Sequence, residues 1–123
     1  MGAPLLERVP PQSLEAEQAT LGAMLVEREA IARVVDVLDA EDFYSPQHQM
    51  LYRAIADLFN DSEPVDIVTL QARLQNRDQL ETVGGSAYLI ELQDAAPTAA
   101  AVGNYAKIVR EKATLRTLIR VGG

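Results

Sequence analysis

Residues 41–55, EDFYSPQHQMLYRAI, constrain the fold more than any other stretch of this 123-residue chain, because a loop, a helix start and an amphipathic helix follow one another there without a gap. Ser45 suits an N-cap, since its hydroxyl can accept from an orphan N–H of the first turn, and Pro46 suits the first helical position, where a missing N–H costs nothing. Behind them Met50, Leu51, Ala54, Ile55, Leu58 and Phe59 fall on one helical stripe, so Phe43 and Tyr44 are placed to fold back over the helix end. That is an aromatic wedge for a core, not a catalytic loop.

The same helical period organises the rest of the chain. Ser13 is placed to cap a first helix with Leu14, Leu21, Met24 and Leu25 on one face, and Glu15 and Glu17 stand where the helix dipole favours acid. Gly22 inside that pattern costs ~1 kcal/mol of helix propensity relative to Ala, and close approach of another helix is the reading that offsets it. Ile31, Val34, Val35 and Leu38 mark a second helix; Asp66 caps a fourth, in which Ile67, Leu70 and Leu74 line up. Val83-Gly84-Gly85 is a turn, since paired glycines reach positive φ without a steric cost, and a fifth helix carries Tyr88, Leu89 and Leu92. Thr98 is the expected N-cap of the last and longest helix. Its seam is Ala101, Tyr105, Ile108, Lys112, Leu115 and Ile119, widened by Val102 and Val109 in the first half but met by Arg116 further on. No segment alternates apolar and polar residues as a half-buried strand does. The prediction is an all-α domain over 13–123, a compact orthogonal bundle of about six helices, preceded by a flexible arm over 1–12.

Charge is divided unevenly along the chain. Residues 1–106 hold 6 Lys/Arg and 17 Asp/Glu, whereas residues 107–123 hold 5 Lys/Arg and only Glu111. An acidic body repels nucleic-acid phosphates, so DNA contact is expected to be weak or absent. The one basic row, Lys112, Arg116 and Arg120, stacks like charges at i, i+4 and i+8 and points to solvent or to an acidic partner. Zero cysteines exclude disulfides and thiolate chemistry, and no apolar run approaches the ~20 residues of a membrane span.

Catalytic and metal signatures are missing from the pattern. A P-loop needs a glycine-rich turn ending in Gly-Lys-Ser/Thr, and Gly84-Gly85 is followed by Ser86-Ala87 with no lysine. His48 is the sole histidine; Asp42 or Glu41 could orient it as a base, but no nucleophile is recognisable nearby, so it reads as a packing or hydrogen-bonding group. Asp61, Glu63 and Asp66 lack the alternating ligands of a calcium loop. No catalytic, cofactor-binding or metal residue is assigned.

Five blocks in fixed order resemble one family. PPQSLEAEQATLGAMLV, DFYSPQHQMLYRAI, EPVDIVTLQARL, QLETVGGSAYLIEL, and APTAA followed by NYAKIVREKATLRTLIR are similar to the N-terminal domain of the bacterial replicative DNA helicases of the DnaB type. Ala101 departs from the Asn usual there, and Asp61-Ser62 from a Gly-containing turn, both at element ends. The resemblance implies a non-catalytic collar and docking domain that joins other copies of itself in a hexameric ring and recruits the primase C-terminal domain, in the bacterial cytoplasm. It implies that ATP and magnesium belong to a motor domain outside this chain, and that the last helix begins a helical hairpin. Tyr88, Leu115, Arg116 and Ile119 are the partner-binding residues it suggests. Two alternatives remain: the helicase-binding C-terminal domain of primase, which would share the helices without the DFY, EPVD and GGSAYL blocks, and a nucleic-acid-binding module.

Overall fold

A computed structural model describes residues 9–122. Six α-helices follow in order: α1 (Leu14–Val26), α2 (Arg28–Val35), α3 (Pro46–Asn60), α4 (Ile67–Asn76), α5 (Gly85–Asp94) and α6 (Val102–Gly122), with a 3-10 turn at Ala40–Asp42 between α2 and α3. The described residues contain no strand. Residues 1–8 of the expected arm lie outside the described residues.

Local chemistry starts the helices where the residues require it. Ser13 Oγ accepts from the Ala16 N–H at 3.2 Å, and Ser45 Oγ accepts from the His48 N–H at 3.4 Å with Pro46 behind it. Asp66 and Thr69 close a reciprocal capping box, each side chain accepting from the other's N–H. Gly84 and Gly85 turn the chain into α5 at φ 114° and 72°.

α1 is the axle. Ala16, Glu17, Thr20, Leu21, Gly22, Ala23, Met24 and Leu25 are all buried, as in a helix surrounded by others, and α6, α2, α5 and α3 pack around it. Leu14, expected on the buried face, is instead exposed at the helix entrance. At Gly22 a β-carbon would run into the Leu92 carbonyl oxygen of α5 and against Ala96, so the helix contact expected there is made by backbone. Phe43 is buried against Tyr52, ring centroids 5.2 Å apart, while Tyr44 stays at the surface. The wedge over α3 is therefore Phe43 alone.

The last helix departs from its expected frame. It begins at Val102, after Ala101 and Val102 donate back to the Thr98 and Ala99 carbonyls in tight turns, and the exposed Thr98 side chain caps nothing. Two side chains from elsewhere hold this loop: Glu27 accepts from the Ala99 N–H at 3.1 Å and Arg33 donates to the Ala99 carbonyl at 3.2 Å. The buried stripe of α6 is Val102, Ala106, Val109 and Ala113, one position beyond the expected seam. Tyr105, Ile108 and Lys112 flank it half-buried.

Candidate docking surface

The stripe that buries the first half of α6 ends on an arginine. Arg116 continues the frame of Val109 and Ala113, and its guanidinium donates to the carbonyls of Pro11 and Asp42, both at 2.7 Å, while lying 5.5 Å from the Tyr44 ring centroid. Arg110, farther back on α6, donates to Asp42 Oδ1 at 2.8 Å. A planar guanidinium with fixed donors suits this position, since it satisfies two backbone carbonyls and stacks on an aromatic face together. Arg116 is thus a clasp that joins α6, residues 9–12 and the loop before α3, not a free member of the basic row.

On either side of the clasp the apolar side chains of this end of α6 are exposed. Leu115 is 44% exposed, Leu118 61%, Ile119 60% and Val121 79%. Ile119 and Arg120 share an apolar groove with Val9, Pro10 and Pro11, the described end of the arm. Exposed apolar side chains gathered at one place, rather than scattered, are the mark of an interaction surface. Of the sequence-predicted site residues, Leu115, Arg116 and Ile119 meet here.

Tyr88 lies elsewhere, in a buried polar chain. Glu17 is 1% exposed and accepts from the Tyr44 N–H at 2.7 Å, the Ser45 N–H at 3.4 Å and His48 Nδ1 at 2.7 Å. A carboxylate only accepts, so Nδ1 carries the hydrogen; in the neutral ring Nε2 then accepts from the Tyr88 hydroxyl, 2.7 Å away. The Gln18 amide donates to the same hydroxyl at 3.0 Å, and the Tyr88 ring stacks on His48. Burial, opposed by the Gln18 hydrogen bond and reinforced by Glu91 and Glu17, pushes the Tyr88 phenol above its ordinary pKa. His48 is therefore oriented by Glu17 of α1, not by Asp42 or Glu41, and the chain ties α1, α3 and α5 together. Sequence reasoning placed Glu17 at a helix dipole. The overlooked signal was its spacing, i−4 from Leu21 and i−7 from Met24, which puts an acid on the buried stripe.

The acidic loop before α4 is used structurally: Asp61 pairs with Arg73 and Asp66 caps α4. No cluster of three or more His, Asp or Glu among the described residues is arranged to hold a metal ion.

The sequence matches the DnaB-like helicase N terminal domain over residues 9–111. The chain belongs to this family. The replicative DNA helicase DnaB of Geobacillus stearothermophilus is 51% identical to this DnaB-type domain over 114 residues, covering 93% of the chain and 25% of that protein. The replicative DNA helicase DnaC of Bacillus subtilis is 48% identical over 116 residues, covering 94% of the chain and 26% of the relative. The DnaB-type domain thus spans about a quarter of the length of these relatives. Its fold is also that of the crystal structure of the N-terminal domain of DnaB helicase from Mycobacterium tuberculosis, with TM-score 0.90 and 50% identity over 93% of this chain and 83% of that one. No helix among the described residues of the DnaB-type domain is long and apolar enough to cross a membrane.

Proposed function

We propose that this DnaB-type domain is the non-motor collar and docking part of a bacterial cytoplasmic replicative helicase, which supports ring assembly and recruits the primase C-terminal domain. The parent protein, in this reading, unwinds duplex DNA with ATP and magnesium bound outside the domain. The observation that supports the reading is the group of exposed apolar side chains Leu115, Leu118 and Ile119 around the Arg116 clasp, on a helix whose first half is packed in the core. Burying each such side chain in a partner is worth ~1.5 to 3 kcal/mol, enough for a few residues to define a docking site.

Light scattering over a range of concentrations, with and without the primase C-terminal domain, tests this. Weak, concentration-dependent self-association and a discrete complex with the primase domain are expected; a strict monomer indifferent to primase would overturn the reading. Calorimetry with Mg-ATP is expected to give no heat of binding, and saturable micromolar binding would place the motor chemistry in this domain after all. In a salt-dependent DNA-binding assay the acidic body is expected to bind weakly or not at all.

A further inference from the structure

The outer face of α4 and α5 sets apolar side chains beside carboxylates that no ion pair of the described residues neutralises. The Gln71 amide donates to Ser86 Oγ and ties the two helices together. Val68 and Ala72 lie beside Gln71 on the side of α4 turned away from the buried Leu70 and Leu74; Ala87 and Ile90 lie beside Ser86 on the side of α5 turned away from the buried Leu89. Val68 is 75% exposed and Ile90 47%, and Ala72 and Ala87 are also at the surface. Two rows of apolar side chains thus flank the seam that the Gln71–Ser86 bond closes.

Charge on this part of the chain is one-sided. The only Lys or Arg in residues 61–95 are Arg73 and Arg77, already paired with Asp61 and Asp57. Glu63, Asp66, Asp78, Glu81, Glu91 and Asp94 are exposed, and none is ion-paired among the described residues. Glu91 stands one turn after Ala87 and Asp94 one turn after Ile90, so both carboxylates edge the apolar row of α5. They also lie in the last turn of that helix, where the dipole disfavours acid and no basic residue offsets them. A local preference broken without compensation inside the domain points to a cation supplied from outside it.

We propose that this face is a docking site for a basic amphipathic helix of another protein. The partner helix lies along the seam between α4 and α5, sets its apolar stripe on Val68, Ala72, Ala87 and Ile90, and holds lysine or arginine against Glu91 and Asp94. Unpaired carboxylates repel nucleic-acid phosphates and anionic lipid surfaces alike, whereas a basic polypeptide gains from the charge and from the apolar rows together. A helix suits the site because a seam between two packed helices accepts a third by ridges into grooves. The face is separate from the end of α6, a helix whose main packing contacts are with α1 and α2. One copy can therefore hold different partners at the two places.

The probe is a synthetic peptide of about 18 residues, long enough to form a helix on binding, with leucines at i, i+3, i+4 and i+7 and lysines elsewhere. Titrated into the 123-residue chain, it is expected to shift the NMR amide signals of α4 and α5 around Val68, Ala72, Ala87 and Ile90. A peptide of the same composition in scrambled order keeps the charge without the stripe and should bind at least tenfold more weakly. So should a peptide with glutamate in place of every lysine. Glu91→Lys/Asp94→Lys and Val68→Asp should each weaken binding of the first peptide about tenfold. Lysines in the last turn of α5 and an acid in the first turn of α4 both suit the helix dipole, so the variants keep their fold; equal helical content by circular dichroism checks this. Equal binding of the scrambled or glutamate peptide, or variants that bind as the parent chain does, overturns the site. Amide shifts confined to the end of α6 also overturn it and leave the reading of that end intact.

Discussion

Glu17 shows what a single buried acid can do for a helical bundle. Its carboxylate takes hydrogen bonds from two backbone N–H groups of the loop before α3 and from His48, so three donors depend on one side chain. Glu17→Ala leaves all three facing an apolar hole, and the expected loss is about 3 kcal/mol in urea unfolding, with Glu17→Gln losing less because its amide oxygen still accepts. A second prediction concerns alkaline pH. Burial, helped by Asp39, Asp42 and Glu41, pushes the Tyr52 phenol up to about 12, while the unfolded value is near ~10. The folded state therefore holds the proton more tightly; stability from this group is complete below about pH 10 and is lost as pH rises through 12, by at most roughly 2 to 3 kcal/mol. Denaturation curves from pH 9 to 12 should show that decline in the parent chain and a flatter one in Tyr52→Phe. The variant gives up the hydrogen bond to the Leu38 carbonyl at neutral pH.

Helix starts set by neighbouring residues were legible in the sequence, and those set by distant ones were not. Ser13, Ser45-Pro46 and Asp66 each cap within three residues of themselves, and the helices begin where they stand. Thr98 has the same chemistry, but Glu27 and Arg33 grip Ala99 from across the bundle and delay α6 until Val102. Once the start moves, the buried face is chosen by packing on α1, and the seam shifts by one residue. Leu115 and Ile119 stood on the expected seam, yet the structure leaves both exposed, together with Leu118, which the seam did not include. Glycines test this distinction between local and distant causes. Gly22→Ala gains helix propensity of ~1 kcal/mol but drives a methyl into the Leu92 carbonyl, so a net loss of about 2 kcal/mol is expected. Gly103 has nothing within 4 Å of the same added carbon, so Gly103→Ala should stabilise by about 0.5 kcal/mol. Thermal melts of the two variants should therefore move in opposite directions.

At the scale of the whole molecule, rigidity and stickiness are assigned to different parts of one helix. Val102 to Ala113 anchor α6 in the core, Arg116 clasps it to the Pro11 and Asp42 carbonyls, and Leu115, Leu118 and Ile119 stay exposed around that clasp. That division separates two residues that the family resemblance groups together. Ile119 is exposed and lines the groove beside Pro10 and Pro11, whereas the Tyr88 hydroxyl is already committed to His48 and Gln18 inside the bundle. Ile119→Asp should thus weaken binding of the primase C-terminal domain at least tenfold, about 1.4 kcal/mol, while the melting temperature stays within a degree or two of the parent. Tyr88→Ala should lower binding and the melting temperature together, because removing the ring opens a cavity beside His48 and leaves Nε2 without its donor. Tyr88→Phe separates the causes, keeping the ring while losing only the hydroxyl. If Ile119→Asp melts early while Tyr88→Ala melts like the parent chain, the assignment of core and docking surface is inverted.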